Sequence, residues 1–232
     1  MVNYPEFARD GLALRAFIGR ADLGLHFSLT DSRPLPTVAL EYHLRPPPLP
    51  AVIGILEQQL EKFVDTMGVP PDHIDGHRHV HVLPVARDAV IHVAKRIGAY
   101  VRATIEPIDA AMWRRPGRFE SFYLARASRQ LKKLALESGI ATNRGFRGVR
   151  TFREKDRYDA LFRKMIGGAG EGCLIMCHPG HIDGLLARRD QLIGPREDEW
   201  AYFSGPDFPA DLADAGLELS RLPDAIPHGF AA

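Results

Sequence analysis

Four of the ten histidines of this 232-residue chain fall within nine positions, in the segment 73–81. If the segment is an extended strand, alternate side chains share one face. The side chains on the shared face would then be His73, Asp75, His77, His79 and His81. Neutral imidazole is a common ligand of Zn²⁺ and similar ions, and a ligating imidazole usually donates its second N–H to a carboxylate such as Asp75. The cluster predicts a metal site, and the alternative is a polar strand end with hydrogen-bonded or solvated histidines.

Two further histidines stand in segments with strand character. In segment 176–183 an apolar strand ends and the chain breaks at Pro-Gly, so His178 is predicted at the carboxyl end of a strand, where active sites collect. An imidazole that titrates near neutral pH suits the protonation of a leaving amine, with loop capping as the alternative role. His26 is alone in the apolar segment 24–30, where it is best explained, taken by itself, as a satisfied core histidine.

The elements that must position these residues follow an α/β pattern. Short apolar segments alternate with amphipathic ones, as in β/α units around a largely parallel sheet. Apolar content and flanking Gly, Asp and Pro predict strands over 23–29, 74–82, 99–103, 172–177 and 217–220. Helical spacing and boundary signals predict helices over 52–67, 84–97, 119–137 and 158–166. The proline-rich segment 45–50 is predicted to be a loop.

Composition narrows the range of partners. Thirty Lys and Arg against 29 Asp and Glu leave a formal charge of +1 with no basic run, so no nucleic-acid partner is expected. No apolar stretch approaches the roughly 18 residues that a bilayer crossing needs, and no secretion signal is evident, so we expect no membrane partner and a cytoplasmic location. Cys173 and Cys177 are expected to be buried thiols. The length favours a single domain over residues 1–232.

Three motifs, in this order along the chain, resemble the YdjC-like carbohydrate deacetylase family, which includes chitooligosaccharide deacetylase. They are Gly24-Leu-His-Phe-Ser-Leu-Thr30 followed by Arg33-Pro-Leu, then His73-Ile-Asp-Gly-His-Arg-His-Val-His81, then Met176-Cys-His-Pro-Gly180. The resemblance is continuous from Met1 and weaker after Asp183. It implies a distorted (β/α) barrel of the polysaccharide-deacetylase type and the removal of acetyl groups from N-acetylated sugars.

The resemblance also implies roles for individual residues. His26 and His77 would be metal ligands, His178 the acid that protonates the leaving amine, and Arg102 the residue that orients a carboxylate. The cation would be divalent, Mg²⁺ in the first place with Zn²⁺ as the alternative. It would polarise the acetamide carbonyl and lower the pKa of a bound water. The products would be acetate and an amino sugar.

One departure from the family pattern concerns the carboxylates. Relatives usually begin with a strand ending in Ala-Asp-Asp-Phe-Gly, whose aspartates supply a metal ligand and the general base, and this motif is absent from the sequence. We therefore expect the chain to lack about one β/α unit at its start. Loss of a general base typically lowers a rate by about 10²- to 10⁴-fold. Asp75, Asp31 and Asp183 are the candidate replacements; Asp75 and His79 are also expected to support the ligands or line the pocket.

Two other functions stay open on the sequence alone. A catalytically impaired remnant that binds a sugar or a protein would fit the missing aspartates, whereas the presence of His26, His77, Arg102 and His178 favours the deacetylase. A metallophosphoesterase would need several carboxylates near the histidines, and these are scarce. A homodimer is an open expectation, because a second copy could cover the sheet edge left by a missing strand.

Overall fold

The computed structural model describes residues 1–31, 33–108, 113, 117–150, 157–189 and 194–222. These residues form two compact units. The first unit comprises the described residues of 1–105, 123–143 and 221–222, and the second those of 106–122 and 144–220. The expectation of a single domain over 1–232 stays a prediction.

The first unit is built on a parallel sheet of three strands. In spatial order they are β1 (Gly24–Phe27), β2 (His73–Gly76) and β3 (Tyr100–Val101). Its helices are α1 (Pro5–Leu14), α2 (Leu35–Leu44), α3 (Leu49–Met67) and α4 (Ala86–Ile97), and α5 (Arg118–Glu137) begins in the second unit and continues into the first. Two 3₁₀ helices, Arg15–Phe17 and His77–Val82, complete it.

Helix α3 shows how the sequence determines this unit. The residues that it buries recur at helical spacing and are Val52, Leu56, Gln59, Leu60, Phe63 and Met67. The helix ends at Gly68, whose φ of 75° is left-handed and costs a glycine little because it has no Cβ. Gln59 also bonds both the N–H and the carbonyl of Ser28, directly after β1, at 2.9 and 2.8 Å. The helix therefore covers β1 and also satisfies the backbone where that strand ends.

The second unit contains a parallel pair of strands, β4 (Gly145–Arg147) and β5 (Cys173–Ile175). Its helices are α6 (Tyr158–Ile166), α7 (Leu186–Arg189), α8 (Gly194–Ser204) and α9 (Asp207–Asp214). Tyr158, Phe162, Ile166 and Tyr202 form a buried hydrophobic cluster, in which three of the four side chains are aromatic. Its rings meet edge-on or tilted, the arrangements that aromatic quadrupoles favour. This cluster joins α6 to α8.

The α/β class and the parallel strands are confirmed, and each predicted helix is present within a few residues of its expected bounds. In the described residues neither sheet closes on itself, so the barrel is not confirmed. Two strand predictions need correction: 217–220 is not a strand, and 74–82 ends as a strand at Gly76. Both cysteines are free thiols, but neither is buried as expected, because Cys173 is half-buried and Cys177 is exposed. Within the described ranges, no helix has both the length and the apolar character to traverse a bilayer.

Candidate functional site

The histidine-rich segment turns sharply directly after β2. Residues His77–Val82 form a 3₁₀ helix in which Arg78 and His79 have positive φ angles of 49° and 60°, a conformation that is uncommon outside glycine. A Cβ atom on Gly76 would lie 2.7 Å from the backbone nitrogen of His81, so this position has no room for a side chain. The prediction that the whole segment is one strand, with alternate residues on a shared face, is therefore wrong.

Asp75 is the centre of a polar cluster at the carboxyl end of β1 and β2. Its Oδ1 accepts a hydrogen bond from Nδ1 of His26 at 2.6 Å, and its Oδ2 lies 2.5 Å from Nη1 of Arg102. The parallel register pairs His26 directly with Asp75, so strand pairing itself brings the two side chains together. The side chains of Asp75 and Arg102 are 11% and 7% exposed, whereas that of His26 is 37% exposed. His26 is thus the member of the cluster that solvent can reach.

The charges of the cluster determine its protonation. Burial by itself would raise the pKa of Asp75, but the Arg102 guanidinium and then the His26 imidazole outweigh it and hold that pKa well below its ordinary range. Asp75 is therefore ionised at neutral pH, and an anion with so low a pKa is a weak general base. Because Nδ1 of His26 donates to Asp75, Nε2 is the ring nitrogen left to accept a proton or a cation.

The histidines that follow β2 surround this cluster. The ring of His77 lies 5.5 Å from that of His26 at an interplanar angle of 77°. Nη2 of Arg102 lies 3.4 Å from Nδ1 of His79, and Nε2 of His81 donates to the Arg102 carbonyl at 3.0 Å. Burial, followed by the nearby Arg102 charge, lowers the pKa of His79 and brings that of His81 to about 3. These two histidines are neutral neighbours of Arg102, and His77 is the one beside His26.

The remaining histidine of the motif, His73, lies at the opposite end of β2. Its ring stacks on that of Tyr100 with centroids 4.9 Å apart. It also fills the space above Gly24, where an added Cβ would lie 2.0 Å from Nε2 of His73. Burial lowers the pKa of His73. A glycine at position 24 is therefore needed for packing rather than for chemistry.

His26 and His77 are the residues predicted to bind a cation, and the structure places their rings side by side. Nε2 of His26 is oriented by Asp75, as is common for a ligating imidazole. Both oxygens of Asp75 are engaged by its neighbours. Within the described residues, no group of three or more His, Cys, Asp or Glu side chains is arranged to hold a metal ion. The pair supplies two nitrogen donors, which suit Zn²⁺ and similar ions better than Mg²⁺, since Mg²⁺ prefers oxygen.

The other two carboxylates considered as replacement bases have local partners. Asp31 accepts a hydrogen bond from the Ser28 hydroxyl at 2.6 Å and another from the Asn3 amide. Asp183 accepts from the backbone N–H groups of Leu185 and Leu186 at 3.0 and 2.7 Å, at the start of α7. Their role as a base stays a prediction.

His178 belongs to the second unit, as does the candidate base Asp183, whereas the predicted metal ligands, Asp75, His79 and Arg102 belong to the first. It follows β5, as predicted, and its backbone N–H donates to Oε2 of Glu199 at 2.5 Å. The Glu199 side chain is fully buried, and its Oε1 lies 2.9 Å from Nη1 of Arg150. Sequence reasoning missed Glu199, because a glutamate in a charged helical segment is ordinarily exposed.

The family can be assigned from sequence comparison. Residues 1–214 match the model of the YdjC-like protein family. The chain belongs to this family. A carbohydrate deacetylase of Geobacillus stearothermophilus is 30% identical, over 94% of this chain and 82% of that protein. A chitooligosaccharide deacetylase of Serratia marcescens is 26% identical, over 87% of this chain and 77% of its own length.

A solved structure shares the fold of this YdjC-like chain. It is a crystal structure of a candidate cellobiose-phosphate cleavage protein from Enterococcus faecalis V583, similar with a TM-score of 0.67 over 97% of this chain and 86% of that one. The two sequences are 18% identical, so the likeness concerns the fold alone. The resemblance inferred from the three motifs is confirmed at the level of the family.

Proposed function

We propose that this YdjC-like protein is a carbohydrate deacetylase that hydrolyses the acetamide of an N-acetylated sugar. The names of its relatives support this activity. The structural observation that carries the proposal is the hydrogen-bonded set His26–Asp75–Arg102 at the carboxyl end of β1 and β2, with His77 beside it. The carboxyl ends of parallel strands are the usual place of active sites in α/β proteins.

In this proposal Asp75 has a positioning role. Its negative charge fixes the Nδ1–H tautomer of His26, and Arg102 keeps Asp75 ionised, so in the neutral ring the lone pair lies on Nε2. We include a divalent cation held by His26 and His77, which when bound supplies Lewis-acid polarisation of the acetamide carbonyl.

His178 is the proton donor of the proposal. Hydrolysis forms a bond between water oxygen and the acetyl carbon and breaks the C–N bond, and the leaving nitrogen must gain a proton to depart as an amine. An imidazolium titrating near neutral pH is suited to that transfer. The position of His178, three residues past the end of β5, agrees with the strand-end location of active-site residues.

The test is acetate release from di-N-acetylchitobiose by the purified chain, after treatment with a chelator and after addition of Mg²⁺ or Zn²⁺. Activity should depend on the added ion and fall at least about 100-fold in His26→Ala, His77→Ala and His178→Ala. His92→Ala is the matched control, because His92 is exposed and lies on α4 outside the cluster. Full activity of His26→Ala would contradict the proposal.

A sugar-binding remnant without catalysis is the second outcome to distinguish. The relatives named as deacetylases do not favour it. Calorimetric titration with the same disaccharide separates the two functions: binding with no acetate release under either ion would support the remnant, and release would exclude it.

A further inference from the structure

Helix α8 holds the segment that carries His178 through four of its side chains. Each of these contacts lies within the second unit. Glu199 accepts a hydrogen bond from the His178 N–H at 2.5 Å, and Arg196 donates one to the His178 carbonyl at 3.4 Å. Farther along the segment, Glu197 accepts a hydrogen bond from the Ile182 N–H at 3.3 Å. The ring of Trp200 lies 4.7 Å from the ring of His181. Both peptide groups of His178 are therefore bonded to one helix.

Glu199 differs from the other three because it is completely buried. Its side chain is 0% exposed, and Arg150, its partner through Oε1, is 7% exposed. The Arg150 guanidinium also lies over the ring of Tyr158, 5.2 Å from the centroid, so the ion pair is part of the aromatic core. The two oxygens of Glu199 thus have separate partners: Oε1 pairs with the Arg150 guanidinium, and Oε2 accepts the hydrogen bond from the His178 N–H.

Stability alone does not account for this arrangement. Removing two charges from water is costly, and replacing a buried ion pair by apolar side chains of similar volume is often neutral or stabilising. A carboxylate at this position does provide something that an apolar residue cannot, which is a fixed acceptor for the N–H of His178. Charge-assisted hydrogen bonds of this kind are short and about twice as strong as neutral ones.

We propose that Glu199 is the positioning residue for His178 and acts through the hydrogen bond to its backbone N–H. Together with Arg150 and α8 it fixes the Cα of His178 and hence the point from which the imidazole reaches its target. This inference rests on the proposed function, in which His178 is the acid. Misplacement of a reacting group by about 1 Å can lower a rate by about 100-fold, so the bond is expected to matter for turnover rather than for substrate affinity.

Two variants test the proposal by kinetics. Glu199→Gln keeps an oxygen acceptor for the His178 N–H but removes the charge that balances Arg150. The double variant Arg150→Met with Glu199→Leu removes the acceptor without leaving a buried charge unpaired. We expect kcat to fall by about 100-fold in the double variant, with KM unchanged, and to recover by at least about tenfold in Glu199→Gln. Asp211→Asn is the matched control, since Asp211 pairs with Arg163 and Tyr202 in the same unit without contacting His178.

A double-mutant cycle separates positioning from general damage. In a His178→Ala background the double variant should cause no further loss of kcat, because a residue that acts through His178 has nothing left to position. An additional 100-fold loss there would overturn the proposal, as would wild-type kcat in the folded double variant.

A measurement that needs no activity distinguishes this inference from the deacetylase proposal. In the unmutated protein, the His178 amide should exchange slowly with solvent, and its proton signal should move upfield in Glu199→Gln, because a neutral acceptor makes a weaker bond. If the wild type releases no acetate, the deacetylase proposal fails, and the exchange and chemical shift of the His178 amide alone decide whether Glu199 holds His178. Exchange as fast as an unprotected amide would overturn the positioning role even if no variant folds.

Discussion

Replacing Asp75 by Asn should destabilise the protein and disable His26 at the same time. The substitution preserves shape but removes the negative charge 2.5 Å from Nη1 of Arg102, whose side chain is only 7% exposed. Leaving one partner of a buried ion pair uncompensated typically costs about 3–5 kcal/mol. We therefore expect the free energy of unfolding at pH 7, measured by urea titration, to fall by about 3 kcal/mol or more.

The matched control is Asp88→Asn. Asp88 also pairs with an arginine, but at 3.8 Å and with a side chain 42% exposed, so its loss should cost less than about 1 kcal/mol. A second control is the double variant Asp75→Asn with Arg102→Met, which removes both charges and should recover part of the lost stability. Equal effects of Asp75→Asn and Asp88→Asn would refute the reasoning.

The contribution of Asp75 to the free energy of unfolding should decrease as the pH is lowered. The pKa of Asp75 is lower in the folded protein than in the unfolded chain, so its contribution is fully present above the unfolded pKa of about 4 and is lost as the pH falls toward the folded value. The stability difference between wild type and Asp75→Asn should therefore shrink below about pH 4. A constant difference across this range would show that the charge of Asp75 is not its cause.

Three further predictions concern stability, each measured by urea unfolding. The pKa of His81 is lowered to about 3, so between about pH 6.5 and 3 the unfolded chain binds more protons than the folded protein. The free energy of unfolding should therefore decrease as the pH is lowered through this range, and the decrease should be smaller in His81→Gln. Gly76→Ala should destabilise by about 1–3 kcal/mol, because its Cβ would meet backbone, whereas Gly54→Ala in α3 has open space and should stabilise by about 0.5–1 kcal/mol. Leu56→Ala, at a fully buried position, should cost about 2–5 kcal/mol, and Leu40→Ala, at a position 60% exposed, within about 0.5 kcal/mol.

Periodicity and boundary residues were sufficient to predict four of the described helices, α3 to α6, but α1, α2 and α7 to α9 were not predicted. Helix α4, for example, ends at Ile97 with Gly98 in a left-handed conformation, as the sequence predicts. The strand around His26 was also predicted, because it is short, apolar and flanked by small residues. These features are determined by residues close together in the sequence, so they can be predicted without knowledge of the tertiary structure.

The failures have a different origin. Histidines at every second position from 77 to 81 imitate strand alternation, and nothing in the residue types at Arg78 and His79 signals positive φ angles. The turn that contains them packs the backbone of His81 against Gly76, a contact that the residue types do not reveal. The burial of Glu199 is likewise invisible in the sequence, since it requires Arg150, which lies 49 positions away. Tertiary contacts of this kind can override a local pattern.

Two buried carboxylates adopt the same bonding scheme in this protein, one in each unit. Asp75 binds Arg102 through one oxygen and the ring of His26 through the other; Glu199 binds Arg150 through one oxygen and the backbone of His178 through the other. In each case an arginine pairs with one oxygen of the acid, and the other oxygen accepts a hydrogen bond from a histidine, from the ring of His26 and from the backbone N–H of His178. Since replacing a buried ion pair by apolar residues is often neutral or stabilising, we infer that the two pairs serve the placement of His26 and His178 more than the stability of the fold.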